Sequence, residues 1–363
     1  MKDRDLLYNQ IDTRLLDTMS DLIRIVDEDN AIVYYNRAMR IALEDQMFRD
    51  HSEGEDGGFS DFRMTARSIA SGEIIQRETY VGDVYYSVKT NPIRGNDGSI
   101  VGAIEVFRDK SIEKHLQLEQ IEKNRAMIEE QISASNIQHA LLPKRGYNRL
   151  TCMEYYYRPA EILSGDIFDF IEIDDDHAAF YIADVVGHGF ASSMMTMFIS
   201  QTLRNMAPEI LKDPTVAMLE IEHRFAELNF PDTMYFTIFL AVYSENEHKL
   251  TYVNAGHDCP PLLKRGENVR LLLNTGFPIS SLVEASFYEC RTAYLFKGDE
   301  LLLYTDGITE CRNKNRVQFG VKNLQKTFAE TDKEPLAEIV ETLRKYVHEE
   351  IVDDMTCVYL RML

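Results

Sequence analysis

Positive charge is scarce in this chain: 39 Lys and Arg stand against 60 Asp and Glu, a formal net charge of −21. Such a surface repels nucleic acid and anionic membranes, so neither is expected as a partner, and most of the excess acid is simply solvated surface. Paired cysteines are missing too. Cys152, Cys259, Cys290, Cys311 and Cys357 are odd in number and never stand at Cys-x-x-Cys spacing, which argues against a zinc site and for a reducing compartment. No apolar run approaches the length of a membrane span, and Met1-Lys2-Asp3-Arg4-Asp5 does not read as a signal peptide; a soluble cytoplasmic protein is the expectation. Glycine and proline vanish together from Asp109 to Leu142, a stretch of 34 residues, so no turn is expected there.

What remains is ample for two folded domains: 363 residues, 45% of them hydrophobic. From the start to about Arg108, the chain reads as two strands (Leu22 to Asp27, Ala31 to Tyr35), short helices from Asn36 and near Phe62 to Ala70, and three further strands (Glu73 to Val81, Val84 to Asn91, Ser99 to Phe107). That order describes a small antiparallel sheet with helices on one face. Around Val26-Asp27-Glu28-Asp29-Asn30-Ala31-Ile32-Val33-Tyr34-Tyr35-Asn36-Arg37-Ala38 it resembles a PAS sensor domain covering residues 1–108. The PAS family usually has glycine where Asn30 stands, but Asn also tolerates positive φ. The resemblance implies a sensory or dimerising role and names no ligand: His51, beside a polar loop, is read as solvated, and no cysteine precedes Cys152 to react with a flavin.

The turn-free stretch, residues 109–142, carries two columns at seven-residue spacing: Leu118, Arg125, Ile132, His139, and Ile121, Ile128, Ser135, Leu142. This predicts a helix of roughly 50 Å at 1.5 Å per residue. A parallel two-stranded coil, and with it a homodimer, is favoured over a single amphipathic helix packed on its own domain.

Residues 143–363 alternate strands with helical blocks. Strands are expected at Met153 to Tyr157, Ile167 to Ile173, Ala178 to Asp184, Tyr235 to Tyr243, Lys249 to Asn254, Ser286 to Thr292, Glu300 to Tyr304 and Met355 to Leu360. Helices are expected at Ala191 to Met206, Thr215 to Leu228, Val321 to Ala329 and Leu336 to Glu349. Two layered sheets flanked by helices fit this order. Four aspartates fall where a strand-like run meets a turn: Asp166 in Ser164-Gly165-Asp166, Asp184 before Val185-Val186-Gly187-His188-Gly189, Asp306 in Tyr304-Thr305-Asp306-Gly307, and Asp353 in Asp353-Asp354-Met355-Thr356. Drawn together, they would repel one another by roughly 4 kcal/mol per close pair at an effective dielectric near 20, so cations are needed among them. Carboxylate donors point to hard divalent ions such as Mn²⁺ or Mg²⁺.

These segments, with Leu141-Leu142-Pro143, Asn254-Ala255-Gly256-His257 and Ile308-Thr309-Glu310, resemble in order the metal-dependent protein phosphatase (PPM) family, in its bacterial SpoIIE (RsbU-like, RsbP-like) branch. The resemblance implies an overall α+β chain: a PAS antiparallel sheet, a coiled-coil linker helix and an αββα sandwich with two Mn²⁺ or Mg²⁺ ions at one end. By that resemblance Asp184 bridges both ions, the Val185 carbonyl completes one shell, Asp306 and Asp353 hold one metal and Asp166 the other. Asp353 is preferred over Asp354 because the family pattern allows Asn at the second place. Gly187 and Gly189 are read as a tight turn and Gly307 as the residue that lets backbone pass near the metal. Asp169 is open between a supporting group and a surface acid. His188 and His257 are read as turn residues ahead of general acids, and Arg158 as a surface residue ahead of a phosphate guide. Ser164 in place of the commoner glycine, and Gly276-Phe277-Pro278-Ile279-Ser280 in place of Gly-x-Pro-Leu-Gly, depart from the pattern without touching a ligand.

The implied function is PAS-regulated hydrolysis of phosphoserine or phosphothreonine on a protein, with a STAS-type anti-sigma-factor antagonist as substrate. A non-catalytic sensor-scaffold is the alternative. A nucleotide cyclase, reading Ser164 to Phe168 as a degenerate Gly-Gly-Asp-Glu-Phe loop, leaves Asp184, Asp306 and Asp353 unexplained.

Overall fold

The computed structural model describes residues 13–44, 63–187, 189–282, 287–348 and 352–363. His51, the loop Ser52 to Gly58, His188, Ser286 and Glu349, all considered above, lie outside the described residues. Contacts divide the chain into two units, Met1–Ala126 and Met127–Leu363.

In the first unit α1 (Thr13–Asp17), β1 (Leu22–Asp27), β2 (Ile32–Tyr35), α2 (Arg37–Glu44) and α3 (Arg63–Ser71) precede β3 (Ile75–Val81), β4 (Val84–Arg94) and β5 (Ile100–Asp109). The five strands form one antiparallel sheet in the order β2-β1-β5-β4-β3. The β1–β2 turn closes on Asp27, whose Oδ1 accepts from the Ala31 amide at 2.8 Å, while Asn30 takes a φ of 62°; the short amide side chain tolerates what a bulkier one would not. Asn36 starts α2 by accepting from the amide of Met39 at 2.9 Å. Met39 of α2 packs in one cluster with Leu22, Val81, Tyr86, Val88 and Phe107 of the sheet and its β3–β4 hairpin. Arg24 and Glu105 form a fully buried ion pair, and Thr65 donates to the same carboxylate at 2.5 Å.

Helix α4 (Ser111–Leu141) follows, opened by Asp109, whose carboxylate accepts from the Ser111 amide at 2.8 Å. It runs unbroken across the division between the units.

The second unit continues with β6 (Gly146–Tyr147), β7 (Thr151–Arg158), β8 (Asp166–Glu172), β9 (His177–Val185), α5 (Phe190–Arg204), α6 (Pro208–Leu211), α7 (Pro214–Glu227), β10 (Tyr235–Ser244) and β11 (Lys249–Ala255). After these come β12 (Leu262–Arg265), β13 (Asn268–Leu271), β14 (Ile279–Ser280), β15 (Arg291–Tyr294), β16 (Glu300–Tyr304), α8 (Asp306–Glu310), α9 (Gly320–Glu330), α10 (Pro335–Tyr346) and β17 (Met355–Met362). One sheet runs β15-β11-β10-β9-β8, with β14 on β10; the other runs β13-β12-β16-β17-β7-β6. Residues from both sheets interdigitate between them, among them Phe168, Ile182 and Phe239 from the first and Met153, Leu301 and Val358 from the second. The outer face of the first sheet packs on α5 and α7 through Ile167, Ala183, Ile199 and Ile221, and that of the second on α9 and α10 through Leu302, Tyr359, Leu324 and Ile339. Four layers result, helix–sheet–sheet–helix. The β12–β13 hairpin was not expected from the sequence. The last strand of the first sheet is Arg291–Tyr294 rather than Ser286 to Thr292, Phe287 to Cys290 lying outside any ladder.

Candidate metal centre

Antiparallel pairing sets Asp166, at the start of β8, directly opposite Asp184, near the end of β9, and Asp184 in turn opposite Thr237 of β10. Both acids share the face that carries Phe168 and Ile182 into the sandwich, since side chains alternate along a strand. Like charges directly opposed destabilise a strand pair, so this register needs compensation. On the second sheet β16 ends where β17 begins: Tyr304 faces Cys357, Asp306 opens α8, and Asp353 and Asp354 precede β17. Each of the four acids therefore sits at a strand end, two per sheet.

Hydroxyls tie the two pairs together. Thr305 and Thr356, from the second sheet, donate to Asp166 Oδ2 at 2.8 and 2.5 Å. Asp354 is occupied otherwise: Oδ1 accepts from the Ala160 amide at 2.7 Å, and Oδ2 from Ser164 Oγ and the Gly165 amide at 2.7 Å each. It clamps the turn before β8, while Asp353 is exposed. That same hydrogen bond holds Ser164, fully buried, away from a nucleophile's place.

The electrostatics follow from burial and proximity. Burial first, then the charges of Asp306, Asp353, Asp354 and Asp258, push Asp184 up to about 8. Burial and the charges of Asp353, Asp258 and Glu310 push Asp306 up to about 6. Asp166 is raised well above the usual carboxylate range by burial and by Asp184, against the opposing hydrogen bonds of the two threonines. Among the described residues no Lys, Arg or His pairs with Asp166, Asp184 or Asp306, and no three acidic, His or Cys side chains already meet as a closed cage. One buried and two half-buried carboxylates that raise one another, with no cation among the described residues paired to them, are a donor set of hard oxygens short of positive charge. That set fits Mn²⁺ or Mg²⁺.

The glycines have local reasons. Gly187 and Gly189 take φ of 83° and 88°, the tight turn before α5. At Gly307 a Cβ would come within 2.1 Å of the Asp354 carbonyl oxygen, so its absence lets α8 lie against the Asp353–Asp354 backbone. The close approach is to that backbone rather than to the donors themselves.

Other residues singled out in the sequence resolve by contact. Asp169 is neither a supporting group nor a surface acid: one step out of phase with Asp166 and Phe168, it faces α5, is buried, and pairs with Arg204 Nε at 2.5 Å. His257 is buried, its Nε2 lying 3.1 Å from the Tyr304 carbonyl oxygen and its Nδ1 3.4 Å from Thr237 Oγ1. Burial lowers it to about 4; it is a neutral tie between the sheets rather than a general acid. Arg158 ends β7 exposed, opposite Met355. Asp258 was missed in the sequence. It follows His257 in a turn held by Asn254, whose Oδ1 accepts from the His257 amide at 2.7 Å, and its charge reaches both Asp184 and Asp306. One further position of the Asn254-Ala255-Gly256-His257 motif would have included it.

The sequence model of the stage II sporulation protein E (SpoIIE) family matches residues 174–363. The chain is 28% identical over 207 residues to phosphoserine phosphatase RsbU of Bacillus subtilis (strain 168), covering 56% of this chain and 61% of that one. It is 30% identical over 182 residues to phosphoserine phosphatase RsbP of the same organism, covering 49% and 44% respectively. It thus spans about half the length of these curated relatives. Among solved structures the SiaA-PP2C domain of Pseudomonas aeruginosa superposes with a TM-score of 0.56 at 19% identity, over 66% of this chain and 98% of that domain, a likeness of fold.

Proposed function

The chain belongs to the SpoIIE family, whose sequence model spans more than half of it, and from that premise we propose that residues 143–363 are a metal-dependent phosphatase acting on phosphoserine or phosphothreonine of a protein. One observation carries the reading: Asp166 and Asp184 face each other across one sheet, Asp306 opens a helix at the end of the other, and Thr305 and Thr356 of that second sheet bond to Asp166, with no Lys, Arg or His among the described residues paired to the three acids. Both curated relatives are named phosphoserine phosphatases, which supports the substrate class. A STAS-type protein is the proposed partner.

In this reading Asp184 would serve both divalent ions with help from the Val185 carbonyl, Asp306 and Asp353 would hold one, and Asp166 would hold the other. A bound pair of Mn²⁺ or Mg²⁺ supplies Lewis acidity, drawing the pKa of water toward neutrality and offsetting charge on a phosphoryl group. The protein's part is positioning. Thr305 and Thr356 orient the Asp166 carboxylate, Asp354 holds the turn that delivers it, and Gly307 lets Asp306 approach. No side chain need act as nucleophile, in keeping with the buried, hydrogen-bonded Ser164 and the absence of an exposed cysteine beside the acids.

Residues 1–108 are read as a PAS-type sensor, supported by the antiparallel order β2-β1-β5-β4-β3, and residues 109–142 as the linker that couples it to the phosphatase and pairs two chains. The test is Mn²⁺-dependent release of phosphate from p-nitrophenyl phosphate and from a phosphoserine peptide. Supporting groups of metal sites are worth 10- to 100-fold, so Asp184→Asn and Asp306→Asn, which remove a ligand, are expected to lose more than about 100-fold. Turnover that survives either change at the wild-type rate would sink the assignment.

A further inference from the structure

The last turn of α4 meets the loop that leads into the strand carrying Asp166, and one side chain bonds the two. Gln138 is 1% exposed. Its Oε1 accepts from the Ser164 amide at 3.1 Å, and its Nε2 donates to the Ser164 carbonyl and to Thr196 Oγ1 of α5, both at 2.8 Å. The amide thus pairs with both main-chain groups of one residue, as a neighbouring strand would. Ser164 passes the constraint on: its Oγ accepts from the Asp166 amide at 3.0 Å and donates to Asp354 at 2.7 Å.

Two lesser contacts hold the same turn. His139 stacks edge-on against Tyr157 with ring centres 5.4 Å apart, and the Tyr157 hydroxyl donates to the Asp166 carbonyl at 3.4 Å. Arg204 Nη2 donates to the Leu141 carbonyl at 2.6 Å while its Nε pairs with Asp169. Of the three, only Gln138 bonds to the loop that sets where the Asp166 carboxylate points. A helix interior has little use for a buried amide; an unpaired one would be costly, and here every polar atom of the side chain is matched by the Ser164 loop and α5.

We propose that Gln138 is a positioning residue for Asp166, the α4 side chain that holds the Ser164-Gly165-Asp166 loop in place. A turn or lift of α4 withdraws the amide from Ser164, frees the Ser164-Gly165-Asp166 loop, and weakens the ion that Asp166 holds. This rests on the metal-dependent reading above and names a side chain that positions a ligand of that site.

The experiment uses the full chain. Gln138→Met keeps the volume and removes the hydrogen bonds; calorimetry with Mn²⁺ is expected to show binding weakened about 10- to 100-fold, the range of supporting groups at metal sites. Phosphate release should need correspondingly more Mn²⁺ and approach the wild-type maximum when saturated. A merely structural role would lower the maximum and leave the Mn²⁺ midpoint unmoved, and that result overturns the proposal, as does unchanged affinity. Should Gln138→Met not fold, Thr196→Val, which removes one of the bonds, is expected to weaken Mn²⁺ binding while Thr196→Ser restores it; equal affinity in the two overturns the proposal. Asp184→Asn separates the two claims. If it binds Mn²⁺ like the wild type, the metal reading fails and takes this inference with it. If it loses binding while the Gln138 and Thr196 variants keep theirs, only the inference fails.

Discussion

At Asp184 burial and four neighbouring carboxylates act in the same direction, and the consequence is a pH dependence of the metal-free protein. The folded-state value, about 8, lies above the ordinary 3.8 of the unfolded chain. Between those values the folded state holds a proton that the unfolded state has released, so stability from this group falls as pH rises from about 4 to about 8 and then levels. Asp306, raised to about 6, adds the same sign over a narrower window. Stripped of divalent ions, the wild type should lose melting temperature relative to Asp184→Asn as pH climbs through that window, the two converging near pH 4. A gap of a few kcal/mol at pH 8 is expected, about 1.4 kcal/mol per pKa unit before allowance for the coupling among the acids. Added Mn²⁺ should reverse the order, raising the wild type and leaving the variant. Scanning calorimetry with a chelator and with Mn²⁺ reads both; a stripped wild type whose advantage over the variant grows toward pH 8 would contradict the charge arrangement.

Strand β8 shows what alternation decides. Asp166 and Asp169 are three residues apart, so they emerge on opposite faces, one toward the other sheet and one toward α5. Asp169→Asn removes the buried half of the Asp169–Arg204 pair and leaves Arg204 its bond to the Leu141 carbonyl; because Arg204 reaches solvent, the change is expected to cost about 2 kcal/mol rather than the 3–5 of a fully buried pair. Denaturant unfolding measures that loss, and Mn²⁺ affinity should not change; an equal fall in metal binding would return Asp169 to the site. Elements of this kind were legible because apolar runs such as Tyr181-Ile182-Ala183 and Leu301-Leu302-Leu303 end at an aspartate and a turn. The β12–β13 hairpin was not, since Lys264 interrupts its apolar pattern and only the tertiary fold shows that the ammonium is buried against Thr331 and over the Phe328 ring. The partners of Asp354 and Gln138 were hidden for a related reason: the contacts run from residue 354 to residue 164 and from 138 to 164, and no local spacing records them.

Among the described residues α4 is the one element that crosses the division between the units, and its surface bears on the proposed pairing of two chains. Leu118, Ile121, Ile128 and Ile132, from the two seven-residue columns, are between 46% and 62% exposed on a single chain. Four large apolar side chains along one stripe of a solvent-facing helix are a poor fit to water and a good fit to an identical stripe, since a heptad seam keeps the same faces together over its length. The columns are interrupted at Arg125 and turn polar at Ser135 and His139, where the last turn is instead engaged through Gln138 and Arg204 within its own unit. The helix thus carries an exposed apolar stripe at the front and is bonded to the Ser164 loop at the back; on the proposed reading, pairing of the front would set the orientation of that anchor. Full-length protein at micromolar concentration is expected to sediment at twice the chain mass, and Ile121→Lys with Ile128→Lys to give the monomer. The same double variant should weaken Mn²⁺ binding, although both positions are more than two helical turns from Gln138. Monomeric wild type would remove the seam, and a monomeric variant that binds Mn²⁺ as tightly as the parent would show that pairing and the metal centre are independent.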